Sequence, residues 1–130
     1  MAKIKHIAIV TSDPDKLAKF YCDCFGMTIR QDYAEVPGTA RAIFITDGYM
    51  EVALIEARRN RPLGINHFGF SLEAGEQQEI YDKLREHGVA LETANPDRPY
   101  VEDFIVDVDG NKIDLSTGGL RLGREGVETE

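Results

Sequence analysis

The chain has 130 residues, enough for one domain with a real core, and a formal charge of −8 with an isoelectric point near 4.9. That balance excludes the concentrated basic face a nucleic-acid partner needs, since such a chain repels phosphate backbones. No apolar run is long enough to span a bilayer, and Met1-Ala2-Lys3-Ile4 lacks the apolar core of a secretory signal, so a cytoplasmic location is expected.

The stretch Ile4 to Val10 reads as a strand. Side chains alternate between faces there, so His6 shares a face with Ala8 and Val10 while Ile7 and Ile9 point the other way. Asp13-Pro14 then offers an N-cap followed by proline in the first turn, which predicts a helix, and Gly26 is its natural stop. Leu17, Phe20, Tyr21 and Cys24 fall on one helical stripe and should cover the Ile7/Ile9 face. Cys22 and Cys24, two apart on a helix, diverge; they are poorly placed for a disulfide or a shared metal, and we read Cys24 as core and Cys22 as incidental. Strands follow near Thr28 to Tyr33, Ala42 to Thr46 and Met50 to Ala57, with Asp47-Gly48 as the turn between the last two. The unit is β-α-β-β-β.

A polar linker, residues 58–64, leads into a second run of the same programme. A strand from Ile65 to Leu72 precedes a helix from about Glu76 to Glu86 with Ile80, Tyr81 and Leu84 inward and Gly88 as stop. Strands near Val89 to Thr93, Asp103 to Val108 and Lys112 to Ser116 complete it, with Asp109-Gly110 matching Asp47-Gly48. His87, in the last helical turn, reads as a surface residue favoured at a helix C-terminus. Arg58, Arg59 and Arg61 read as a solvated linker, with contact to an anionic substrate as the sharper alternative. The glycine-rich, charged tail after Thr117 has no periodicity and is expected to be mobile.

Ile4-Lys5-His6-Ile7-Ala8-Ile9 and Ile65-Asn66-His67-Phe68-Gly69-Phe70 are near copies, each with a histidine followed two places later by a very small residue. Repetition of strand, helix, glycine stop and Asp-Gly turn in the same order implies a duplicated module with one shared site. Two imidazoles invite a metal, which also wants anionic oxygen ligands: Glu51 or Glu56 from the first module and Asp114 from the second. Alternation puts Glu51 and Glu56 on opposite faces, and the pattern alone does not choose between them.

Strand histidine, Phe20-Tyr21-Cys22-Asp23-Cys24-Phe25-Gly26-Met27, glutamate strand, second strand histidine and Asp107-Val108-Asp109-Gly110-Asn111-Lys112-Ile113-Asp114-Leu115 together resemble the vicinal oxygen chelate superfamily of glyoxalase I, methylmalonyl-CoA epimerase, extradiol dioxygenases and the fosfomycin and bleomycin resistance proteins. The resemblance covers about the first 117 residues. It implies an α+β fold of two tandem β-α-β-β-β modules, about 3–57 and 65–117, making a curved, incompletely closed mixed β-sheet barrel around a metal site. It points to His6, Glu56, His67 and Asp114 as ligands, with Glu56 chosen because it ends the apolar strand Val52-Ala53-Leu54-Ile55. The last ligand is usually glutamate in this superfamily, and Asp114 reaches less far.

The set suits Zn, Ni, Co, Mn or Fe(II). What the resemblance implies first is a lactoylglutathione lyase-like lyase or isomerase, acting through a metal-stabilised enediolate with Glu56 or Asp114 moving the proton. A two-histidine, one-carboxylate Fe(II) dioxygenase is the second reading, should Glu56 not be a ligand. A non-catalytic drug-binding resistance protein is the third. The resemblance also implies a homodimer and a small-molecule substrate, whose identity the scaffold does not specify.

Overall fold

The computed structural model describes residues 1–58, 60–94 and 102–117. The mobile tail expected after Thr117, and Arg59, lie outside them. The described strands and helices make an α+β fold of mixed, open sheet with two α-helices. By contact the chain divides into two compact units, one of residues His6–Asn66 and one of Met1–Lys5 with His67–Glu130.

In the unit His6–Asn66, most of β1 (Lys3–Thr11) is followed by α1 (Pro14–Phe25), β2 (Thr28–Tyr33), β3 (Ala42–Thr46) and β4 (Glu51–Glu56). The strand order is β2-β3-β4-β1, antiparallel except for the parallel pair β1/β4. Helix α1 begins as the sequence predicts: the Asp13 carboxylate accepts from the Lys16 backbone N–H at 3.1 Å, Pro14 fills the first turn, and Gly26 ends the helix at φ 74°. The face it buries is rotated from the expected stripe. Ala18 is the buried contact, joined by Leu17, Tyr21 and Cys22 against Ile43, Ile45 and Leu54, while Phe20 and Cys24 face outward. The two cysteines therefore exchange the roles expected of them. The small Ala18 side chain at the centre of the contact lets the helix lie close to the sheet, which a stripe centred on Phe20 would hold off.

The other unit carries β5 (Gly64–Leu72) from His67 on, a short 3₁₀ turn (Ala74–Glu76), α2 (Gln77–Glu86), β6 (Asp103–Val106) and β7 (Lys112–Thr117), in strand order β5-β7-β6. Leu72, Ile105, Ile113 and Leu115 form its core, with Phe68, Phe70, Ile80, Tyr81 and Leu84 packed on them. The strand expected near Val89 to Thr93 is reduced to a single bridge between Glu92 and Phe104. Beyond that bridge the Asp103 carboxylate accepts the Ala94 backbone N–H at 2.8 Å, so a side chain takes the donor that a longer ladder would have used.

Candidate metal centre

Each unit builds a histidine–carboxylate pair on the sheet face away from its helix. In the unit His6–Asn66 the parallel register sets His6 beside Glu51, Ala8 beside Ala53 and Val10 beside Ile55. On the next strand Thr46, Phe44 and Ala42 continue these three rows. His6 Nδ1 stands 3.7 Å from Glu51 Oε1, and the glutamate is wholly buried. The Phe44 ring lies 6.5 Å from the His6 ring, centroid to centroid, and flanks the pair. Ala8 and Ala53, both buried, keep the second row short.

The turn before β4 fixes where Glu51 begins that strand. Asp47 accepts the backbone N–H groups of Tyr49 and Met50, each at 2.8 Å. The Thr46 hydroxyl donates to the Met50 carbonyl at 2.7 Å and accepts from the Gly48 N–H at 2.9 Å. A turn so fully bonded leaves little freedom in the register that follows.

Glu56 stands elsewhere. It pairs with Thr11 at the far end of β4 from the His6/Glu51 row, about 16 Å away at the rise of a strand, and on the opposite face. The carboxylate beside His6 is therefore Glu51, not Glu56. Reading the sequence by face parity kept both candidates open, and the choice made on the resemblance selected the one that register places away from His6.

In the other unit His67 Nε2 contacts Asp114 Oδ2 at 3.0 Å, with both residues buried. Asp114 is in register with Gly69, so its carboxylate stands against a residue with no side chain and reaches diagonally to His67. The turn ahead of β7 is held by Asp107, which accepts from the backbone N–H groups of Asp109 and Asn111 and from Asn111 Nδ2. The Asn111 side chain and then these backbone donors hold the Asp107 carboxyl below its usual range.

Phe68 pairs with Ile113, so one step back along both strands brings His67 level with Lys112. Lys112 shares the Asp114 face of β7, and its Nζ lies 4.5 Å from the centroid of the Phe104 ring. Sequence reasoning gave this lysine no role; its one available signal was its position two residues before Asp114.

The remaining candidates lie apart from these pairs. His87 Nδ1 is 2.8 Å from the Lys83 carbonyl, a helix-end contact. Arg58 pairs with Glu35 at 3.6 Å, and Arg61 is exposed in a linker turn. Among the described residues no helix is long and apolar enough to cross a membrane.

The family model of the Glyoxalase/Bleomycin resistance protein/Dioxygenase superfamily matches residues 3–115. An uncharacterized Escherichia coli protein, YaeR, is 28% identical over 126 residues, covering 88% of this chain and 95% of its own. Among solved structures, a hypothetical protein BH1468 from Bacillus halodurans superposes with a TM-score of 0.71 at 18% identity, over 89% of this chain and 94% of that one. Methylmalonyl-CoA epimerase from Mycobacterium tuberculosis does so with a TM-score of 0.71 at 19% identity, over 93% and 91%. At these identities the structural likeness speaks for the fold.

Proposed function

The chain belongs to the Glyoxalase/Bleomycin resistance protein/Dioxygenase superfamily, and from that premise we propose that it is a divalent-metal-dependent isomerase or lyase acting on the carbon beside a substrate carbonyl. The ligands in this reading are His6, Glu51, His67 and Asp114. The observation that carries it is the repeated pair: in each unit a strand histidine stands beside a carboxylate of the neighbouring parallel strand, on the face away from the helix.

The donor set fits such an ion. Two imidazoles and two carboxylates mix borderline nitrogen with hard oxygen, which suits Zn, Ni, Co, Mn or Fe(II). A carboxylate buried as completely as Glu51 calls for cationic company, because an anion taken out of water is costly without it. When bound, the ion supplies Lewis-acid stabilisation of negative charge on substrate oxygens.

The chain's own groups divide the remaining work. Asp114, held at 3.0 Å by His67, is the fixed carboxylate. Glu51 is longer by one methylene and stands 3.7 Å from its imidazole, so it is the looser of the two and carries the proton. One of its oxygens takes the proton from the substrate carbon and returns it to the product. Ala8, Ala53 and Gly69 withhold side-chain bulk on the histidine face of their strands. The two half-sites meet within one chain or across a homodimer, and either assembly gives one ion per chain. A small-molecule substrate and a cytoplasmic setting belong to the same reading.

The test is metal titration of chelator-stripped protein, followed by deuterium incorporation from heavy water into methylmalonyl thioester and conversion of methylglyoxal–glutathione hemithioacetal. The expected result is one ion per chain and exchange or conversion of one substrate class. His6→Ala and His67→Ala should each weaken metal binding beyond the roughly 10–100-fold that outer-shell changes cost. A chain that takes up no ion overturns the reading in favour of a metal-free binding protein. Oxygen consumption with Fe(II) and a catechol overturns it in favour of a dioxygenase.

A further inference from the structure

We propose that Phe44 is a positioning residue for His6: its ring, backed by Tyr33, fixes the rotation of the imidazole beside Glu51, and Ala8, Ala42 and Ala53 are small because they admit that ring. The inference rests on the metal-site reading above and adds to it the group that orients one ligand.

Three observations carry it. The first is reach. Phe44 and His6 stand on β3 and β1 with β4 between them, and one row apart along the strands. Two strand spacings alone separate their backbones by about 10 Å, yet the ring centroids lie 6.5 Å apart, within the range over which aromatic rings interact. The rings therefore lean towards each other over β4, where Ala53 is level with Phe44 and leaves that space clear. The second is backing. Tyr33, on β2 and level with Ala42, meets the Phe44 ring edge to face at 5.4 Å and 71°. Tyr33, Phe44 and His6 thus run diagonally across the sheet, one row nearer the Glu51 end at each step, flanked by the wholly buried Ala42, Ala53 and Ala8 on β3, β4 and β1. Alanine is a poor strand former, so its recurrence on this face reflects a demand for room, and the buried Phe44 ring fills that room. The third is need. Histidine turns broadly about the bond to its ring, and Glu51 Oε1, 3.7 Å from Nδ1, lies beyond the ordinary reach of a hydrogen bond that would stop it. His67, by contrast, has Asp114 at 3.0 Å.

A ligand whose ring is already turned loses less freedom when an ion binds, and metal-binding histidines ordinarily obtain this from a hydrogen bond to the second ring nitrogen. Here a packed aromatic wall serves the same end, by excluding the rotations that would carry the imidazole over Ala53. Phe44 has no ligating atom and is closed off from a substrate, so it acts only through His6.

The experiment reads the His6 ring and the bound metal separately in the full chain, for wild type, Phe44→Leu, Tyr33→Leu and Tyr33→Phe. In metal-free protein at one fixed pH, NMR should show contacts between the His6 and Phe44 ring protons and a ring-current displacement of the His6 signals, which Phe44→Leu abolishes. Co(II) affinity from chelator competition should fall about tenfold in Phe44→Leu, as a change outside the ligands themselves does. The visible spectrum of bound Co(II) should change with it, which a mere loss of fold stability would not cause. Tyr33→Leu, on an edge strand, should move both metal readouts in the same direction, whereas Tyr33→Phe keeps the ring and should leave affinity within about twofold. Wild-type affinity and spectrum in Phe44→Leu, or in Tyr33→Leu where Phe44→Leu does not fold, overturn the role of Phe44 while the metal reading stands. So does a wild-type His6 signal without the ring contacts. Equal losses in Tyr33→Phe and Tyr33→Leu assign the effect to the hydroxyl and overturn the aromatic backing. A wild-type chain that takes up no Co(II) overturns the metal reading and this inference together.

Discussion

In the unit His6–Asn66 the carboxylate stands level with its histidine, Glu51 beside His6, whereas in the other unit Asp114 stands level with Gly69 and reaches back to His67. The level pair is the looser one at 3.7 Å, and the diagonal pair is the tighter one at 3.0 Å. Side-chain length accounts for part of this. Glutamate folded beside a neighbour has a methylene to spare, while aspartate is short enough to need the clear path that Gly69 leaves. Each unit thus carries a histidine–carboxylate pair on one face of its strands, but the carboxylate comes from a different row in the two, and the row level with His67 holds Lys112.

The largest effect that could sharpen this comparison lies in the two cores. Leu54 is fully buried among Ala18, Ile43 and Ile45, and Leu72 is nearly so among Ile105, Ile113 and Leu115, whose burial is a little less complete. Leu54→Ala and Leu72→Ala should each cost about 2–5 kcal/mol, with Leu54 nearer the upper end because its more enclosed site can collapse less around the cavity. Denaturant titration measures both. A larger loss for Leu72→Ala would reverse the ranking of the two cores.

Next in size is the choice of carboxylate. Glu51→Gln keeps the volume and removes the charge, and should weaken metal binding by about tenfold or more with loss of proton exchange. Glu56→Gln, at the far end of β4, should leave both within about twofold. Equal effects, or the reverse, would place the working glutamate at the other end of the strand and break the level-against-diagonal contrast.

A smaller difference separates the helix starts. Helix α1 has a side-chain cap from Asp13, whereas α2 is entered through the 3₁₀ turn and its first residue is preceded by Glu76, which makes no such cap. Asp13→Ala should cost about 1 kcal/mol in thermal or denaturant unfolding. A neutral result would mean that Pro14 and the packing of Ala18 set the start of α1 without the cap.

Much of the fold was legible because its signals are local. Alternation in Ile4 to Val10, the Asp13-Pro14 start and the Gly26 stop each rest on neighbouring residues, and the elements stand within a residue or so of where these put them. The stripe on α1 was less so, because residues 17, 20, 21, 24 and residues 17, 18, 21, 22 are both helical faces; the sheet's preference for small Ala18 at closest approach decides between them. Glu51 was beyond local reading altogether. Period-two alternation assigns a face and says nothing of the row, and the row comes from how β4 lies along β1, two strands separated by about forty residues of chain. The bridge that replaces the strand near Val89 to Thr93 has the same kind of cause, a tertiary contact from Asp103 to Ala94.

The smallest effect concerns the two turns that set these registers. Asp47 holds one through the N–H groups of Tyr49 and Met50, and Asp107 holds the other with the Asn111 side chain added. Asn111 is the leading cause of the lowered Asp107 pKa, followed by the backbone donors of Asn111, Asp109 and Gly110. A carboxyl whose folded pKa is depressed contributes stability above its unfolded value, ordinarily 3.8, and loses that contribution as pH falls through the lowered folded value. The β6–β7 turn should therefore hold at neutral pH and loosen only under strong acid. Asn111→Ala removes the leading cause, so the acid limb of the stability profile should move up towards the ordinary carboxyl value, with little change at neutral pH beyond the lost amide contacts. Unfolding measured against pH in the two chains tests this. Superimposable acid limbs would mean that the backbone donors alone hold Asp107, which would make its turn equivalent to that of Asp47 and remove this difference between the units.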